Sequence, residues 1–208
     1  MAELSEIKNV RLFEKYPEKI WDGGEIWGYI GVCEAWDVRA ELFNDAMDIY
    51  PKLYIDMGKA SFEKPFPKTK LANAKKSYAN SLGFSESETI FFLIDTTLFG
   101  SVDEGAIFTD EKIYIKNLWE DPIVIKYEDL RRISVSEKEE KIIFYDYNDK
   151  EYVLSSWSGT SNYLFRLSLT QFILKYAFLL RLDKEGGEIK TESDWEAFEL
   201  SILLLIAP

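Results

Sequence analysis

The segment Glu88 to Lys116, ETIFFLIDTTLFGSVDEGAIFTDEKIYIK, constrains the fold more than any other part of the chain. Apolar and β-branched residues run there in short blocks broken by glycine- and acid-marked turns, the punctuation of strands and tight reversals. It predicts three strands, and four more strand-like segments follow. The seven candidates are Glu88–Thr96, Gly105–Thr109, Lys112–Leu118, Ile123–Tyr127, Arg132–Ser136, Ile142–Tyr147 and Tyr152–Ser156. Asp110-Glu111, Asp121-Pro122 and Asn148-Asp149 supply turn chemistry, and Glu128-Asp129-Leu130 makes a single turn that feeds Arg131 and Arg132 into the fifth strand. Thr160 or Ser161 then caps a helix reaching about Leu182, with Phe165, Leu169, Phe172, Tyr176 and Leu180 at near-i+4 spacing. Strands first and one helix last predict an α+β fold: a seven-stranded antiparallel barrel or sandwich with a closing C-terminal helix.

Ahead of this series, up to about residue 84, the text is helical and aromatic, with breakers at Pro17, Gly23-Gly24, Pro51, Gly58, Pro65 and Pro67. Helices are expected from about Leu4 to Lys15, from Val32 to Met47 and from Lys68 to Ser81. The second would bury Trp36, Ala40, Phe43 and Met47; the third Leu71, Ala74, Tyr78 and Leu82. Lys52 to Met57 reads equally well as an edge strand. Three regions result: a mainly helical 1–84, a β-rich 85–183 with its helix, and an extension over 184–208 with a short helix opened by a capping box at Ser193 to Glu196.

Charge and residue types exclude much chemistry. Lysine and arginine total 25 against 37 acids in 208 residues, a net charge of −12, which opposes nucleic acid and anionic membrane surfaces. Lys68, Lys70, Lys75 and Lys76 form the densest basic cluster and read as the wet face of a helix. The chain has no histidine, the commonest general base and metal ligand, and its single cysteine, Cys33, rules out an internal disulfide and a Cys/His zinc site, which leaves only carboxylate chemistry open. A reducing, cytoplasmic setting is the simplest expectation. No phosphate-loop motif occurs, and Arg166, Lys175 and Arg181 interrupt the longest apolar run. Asp95, Asp103, Glu104 and Asp110 fit turn chemistry without a metal, so no cofactor and no catalytic residue is expected.

The order of seven strands and a helix resembles the bacterial pleckstrin-homology-like family over about Ser87 to Leu182. The resemblance is strongest in DTTLFGSVDEGAIFTDEKIYIKN, Asp95 to Asn117, and in IKYEDLRRI, Ile125 to Ile133. It implies a binding or scaffold module rather than an enzyme. Phosphoinositide binding would need a basic first loop, and here that loop, LFGSVDEG, is acidic. A protein or peptide partner, or self-association, is therefore expected, with Phe99, Trp119, Asp103 and Glu104 as contact residues. For Phe99 and Trp119 the sequence leaves a second reading open, that both rings turn inward as core. An acidic inhibitor or immunity-type protein blocking a basic toxin or nuclease is the alternative function. Apolar residues surround most of the closing helix, Leu164 to Leu180, so its far side needs a cover: the last helix, the N-terminal helices, or a second copy or partner.

Overall fold

The computed structural model describes residues 53–56, 61–63, 67–97, 99–135, 140–155, 163–187, 189 and 191–207. The expected helices Leu4–Lys15 and Val32–Met47 lie outside them. All seven expected strands form, as β3 (Ile90–Asp95), β4 (Gly105–Thr109), β5 (Lys112–Lys116), β6 (Ile123–Lys126), β7 (Leu130–Val135), β8 (Lys141–Asp146) and β9 (Glu151–Ser155). They pair antiparallel in two groups, β3-β4-β5-β6 and β7-β8-β9. Three short strands extend the sheets at their edges. β1 (Leu53–Asp56) pairs parallel with β3 and antiparallel with β2 (Ser61–Glu63), while β10 (Ile206–Ala207) pairs parallel with β7.

The architecture is α+β with two sheets, and the expected barrel alternative is corrected: no closed barrel forms among the described residues. Two features prevent closure. The single turn Tyr127–Asp129 carries the chain from β6 out of one sheet and into β7 of the other. The outer edges of β3 and β7 are meanwhile occupied by β1 and β10. Of the expected Lys52–Met57 edge strand, Leu53–Asp56 forms a strand, one position in from the sheet edge rather than at it.

Helix α1 (Lys68–Ala74) runs into a π-helical turn at Lys75–Ala79 and a tight turn at Asn80–Leu82 before Gly83. Ala74, Tyr78 and Ala79 are buried, with Leu71 and Leu82 packed beside them on Ile90, Leu93, Ile107 and Tyr114. Both faces of β3 and β4 are thereby covered, which is why these strands read as unbroken apolar runs. The other face belongs to α2 (Tyr163–Lys184), whose Leu169, Phe172, Tyr176 and Leu180 are buried as its spacing predicts. Phe91 meets Tyr176 edge-on at 5.2 Å between ring centroids, and Phe92 meets Phe172 at 5.1 Å. The far side of α2 is covered within the chain by α3 (Glu192–Leu205), where Phe198 packs on Phe178 at 4.8 Å. The capping box sits two residues earlier than Ser193 to Glu196: Thr191 Oγ1 accepts from the Asp194 N–H, and Asp194 Oδ2 accepts from the Thr191 N–H.

Candidate functional site

The register fixes which loops share an end of the larger sheet. Asp95 faces Gly105, Gly105 faces Lys116 and Ile115 faces Ile123, so the β3–β4 and β5–β6 loops emerge side by side. Phe99 lies in the first loop and Trp119 in the second. They are 92% and 90% exposed, so neither ring is turned inward as core. Around them Asp103, Glu120 and Asp121 are exposed and Glu104 is half-buried.

Both loops are tied down from beneath. Asp95 is fully buried and accepts from the Thr97 N–H at 2.9 Å and its hydroxyl at 2.5 Å; Thr97 Oγ1 in turn accepts from the Ser101 N–H at 2.8 Å. Asn73 Nδ2 of α1 donates to Ser101 O at 3.1 Å, and the Ser77 hydroxyl of the π-helical turn donates to Asp103 O at 2.8 Å. Gly105 closes the loop with φ +131, and a Cβ there would stand 2.0 Å from Ile94 O, so only glycine fits. In the second loop the buried Asn117 donates from Nδ2 to Glu120 Oε2 and to Val153 O, both at 2.8 Å, and accepts from the Ser155 N–H at 3.0 Å. That one side chain fastens the loop to β9 of the other sheet.

Backbone strain concentrates at the same place. Among the described residues three non-glycine positions have positive φ, and two are Val102 (φ 60) and Trp119 (φ 59); the third, Asp149, sits in the β8–β9 turn. A β-branched residue in the left-handed region costs on the order of 1–3 kcal/mol, sustained by the bonds just described. Partial burial raises Glu104 above the usual carboxylate range; Lys116 opposes this, and Asp103 and Asp95 add to it. Lys116 at the end of β5 reaches the second loop, where its ammonium donates to Glu120 O. The surface is acidic and aromatic.

The opposite end of the sheet has different chemistry. Glu88, whose side chain is fully buried, accepts from the Ser85 N–H at 3.0 Å, the Thr109 hydroxyl at 2.8 Å, the Tyr114 hydroxyl at 2.8 Å and Lys112 Nζ at 3.1 Å. Next to it Asp110 accepts from the Thr89 N–H at 2.9 Å, and burial pushes its pKa up to about 6. Tyr176 of α2 donates to Asp110 O at 2.7 Å and Tyr127 to Thr109 O at 2.9 Å, so the β4–β5 turn anchors the closing helix. A cleft of about 360 Å³ opens beside Asp110. Its lining sets three lysines, Lys112, Lys126 and Lys184, against three acids, Asp110, Glu111 and Glu128, with Lys126 and Lys184 both paired to Glu128 at 3.6 and 2.8 Å and Lys112 to Glu88 behind it. The cleft therefore offers no surplus charge to a ligand.

Sequence reasoning placed Phe99, Trp119, Asp103 and Glu104 as contact residues, and the structure brings all four to one end. It missed Asn117 and Thr97, which hold that end in shape; their spacing to Val153 and Ser101 carries no motif. Among the described residues no group of three acids or cysteines is placed to hold a metal, and no helix is long and apolar enough to cross a membrane. The chain matches no family model, no curated protein and no solved structure.

Proposed function

We propose that this chain is a non-enzymatic, cytoplasmic interaction module of the pleckstrin-homology-like kind, and that its loop end binds a basic protein segment carrying apolar side chains. The fold part of this reading is supported by four and three antiparallel strands followed by a packed helix. The binding part rests on one observation: Phe99 and Trp119 stand almost fully exposed on neighbouring loops held by buried and part-buried hydrogen bonds. Large rings in water on a rigid support present apolar area at little ordering cost, and burying each is worth about 1.5–3 kcal/mol. Asp103, Glu120 and Asp121 beside them favour a cationic partner and repel phosphate. The same acidic rim also suits an inhibitor of a basic protein, for which association would slow steeply as salt rises.

A random-peptide display selection on the wild-type chain, counter-selected on Phe99→Ala with Trp119→Ala, tests the reading. Enriched peptides should be rich in lysine or arginine with interspersed apolar residues, and should bind at least about tenfold more weakly to the double variant. Peptides that bind both chains equally would sink it.

A further inference from the structure

The cleft at the Glu88 end of the larger sheet is balanced in charge, but its charges are sorted by element. One bank is the β4–β5 turn and the start of β5, with Asp110, Glu111 and Lys112. The other is the end of β6, the turn after it and the last turns of α2, with Lys126, Glu128, Leu180 and Lys184. On the first bank two carboxylates stand against one lysine, and that lysine is drawn away to Glu88 at 3.1 Å and lies 3.8 Å from Glu111. On the second, two lysines share the carboxylate of Glu128, Lys126 loosely at 3.6 Å. The first bank is therefore short of a cation and the second short of an anion. Leu180 is the apolar member of the lining and is buried.

We propose that this cleft binds a small zwitterion of dipeptide size, its ammonium on Asp110 and Glu111, its carboxylate on Lys126 and Lys184, and its apolar part over Leu180. Asp110 is the buried acid of the cleft, and burial has already raised its carboxyl, so a cation seated beside it relieves a desolvated charge. Lys126, Lys184 and Glu128 are about half exposed; ion pairs in such a setting contribute little and exchange partners readily, which frees both ammonium groups for a second carboxylate. A ligand of one charge would satisfy one bank and leave the other as it was, and a polyanion or polycation would meet like charge on the opposite bank. At about 360 Å³ the cleft lies at the small end of ligand sites. Its banks are set in place without a ligand: Tyr176 of α2 donates to Asp110 O at 2.7 Å and Tyr127 to Thr109 O at 2.9 Å, so binding orders little of the chain. This site stands at the other end of the sheet from Phe99 and Trp119 and does not depend on the reading of that surface.

Titration of the isotope-labelled full chain at neutral pH with L-alanyl-L-leucine, followed by amide NMR, tests the assignment. Two analogues keep the body of the probe and remove one charge each: the N-acetyl dipeptide lacks the ammonium, and the C-terminal amide lacks the carboxylate. The amides of Glu111, Lys112, Glu128 and Lys184 should move with the dipeptide, and each analogue should bind at least about tenfold more weakly. Asp110→Asn should abolish the preference for the free ammonium, and Lys126→Gln with Lys184→Gln the preference for the free carboxylate. The proposal is overturned if millimolar dipeptide leaves those amides in place, if either analogue binds the wild-type chain as tightly as the dipeptide, or if both preferences survive in the variants.

Discussion

The two ends of the larger sheet are built from the same residue types and used in opposite ways. At the Glu88 end, carboxylates lie inside and are surrounded by donors: Glu88 accepts from four groups, and Asp110 sits under the turn that anchors Tyr176. At the Phe99 end, carboxylates lie outside and it is the aromatic rings that meet water. One buried acid, Asp95, serves there, and it serves the loop backbone. The contrast teaches that one end of the sheet seals its acids among donors while the other leaves apolar area in water.

Four variants would sharpen or break the contrast. The largest effect is expected for Glu88→Ala, which strips the acceptor from Lys112, Tyr114 and Thr109 at once; urea unfolding should show a loss of about 3 kcal/mol. A loss under about 1 kcal/mol would mean that water replaces the carboxylate and that this end is not sealed.

Asp110→Asn comes next, and its sign is opposite. Burial raises the Asp110 carboxyl from 3.8 to about 6 in the folded chain. Between those values the folded state holds a proton that the unfolded state has released, so stability falls as pH rises through that window and the cost persists above it. The variant keeps an acceptor for Thr89 and removes the charge. It should gain about 2 kcal/mol at neutral pH and flatten the stability profile between about pH 4 and 6. An unchanged profile would show that Asp110 does not carry that dependence.

Tyr78→Phe is smaller. The Tyr78 hydroxyl is fully buried and has no hydrogen-bond partner among the described residues, so removing it should leave stability unchanged or raise it by up to about 1 kcal/mol. A clear loss would reveal a partner for that hydroxyl and extend the polar network into the π-helical turn. Smallest of all is the double change Phe99→Ser with Trp119→Ser, for which stability should move by no more than about 0.5 kcal/mol while peptide binding is lost. Destabilisation beyond about 1 kcal/mol would make those rings part of the core and erase the difference between the ends.

The seven antiparallel strands and α2 were legible because each is local. Period-two or continuous apolar blocks, turn residues at Asp110-Glu111 and Asn148-Asp149, and the near-i+4 stripe ending at Leu180 all act over a few positions. The edge strands β1, β2 and β10 were harder, since two to four residues carry little pattern and owe their shape to the neighbour they meet. Closure into a barrel failed as an expectation for the same reason: β1 and β10 occupy the edges through contacts invisible in local sequence. At the loop end Phe99 and Trp119 could be named as candidates, yet their exposure follows from Thr97, Asn117 and Val102, whose roles depend on distant partners.

The two parallel pairings also carry a consequence for the order of assembly. Every antiparallel ladder of β3 to β9 joins strands adjacent in sequence, whereas β1 must find β3 across α1, and Ile206 must find Ile133 after α2 and α3 are both in place. Closing a long loop costs entropy before its contacts repay it, so the meanders form early and the two parallel seams knit last. Pulsed hydrogen exchange during refolding should protect the amides of β4 and β5 well before those of residues 53–56 and 206–207. The chain is thus stitched shut from its middle outward, and its first and last described strands are the final stitches.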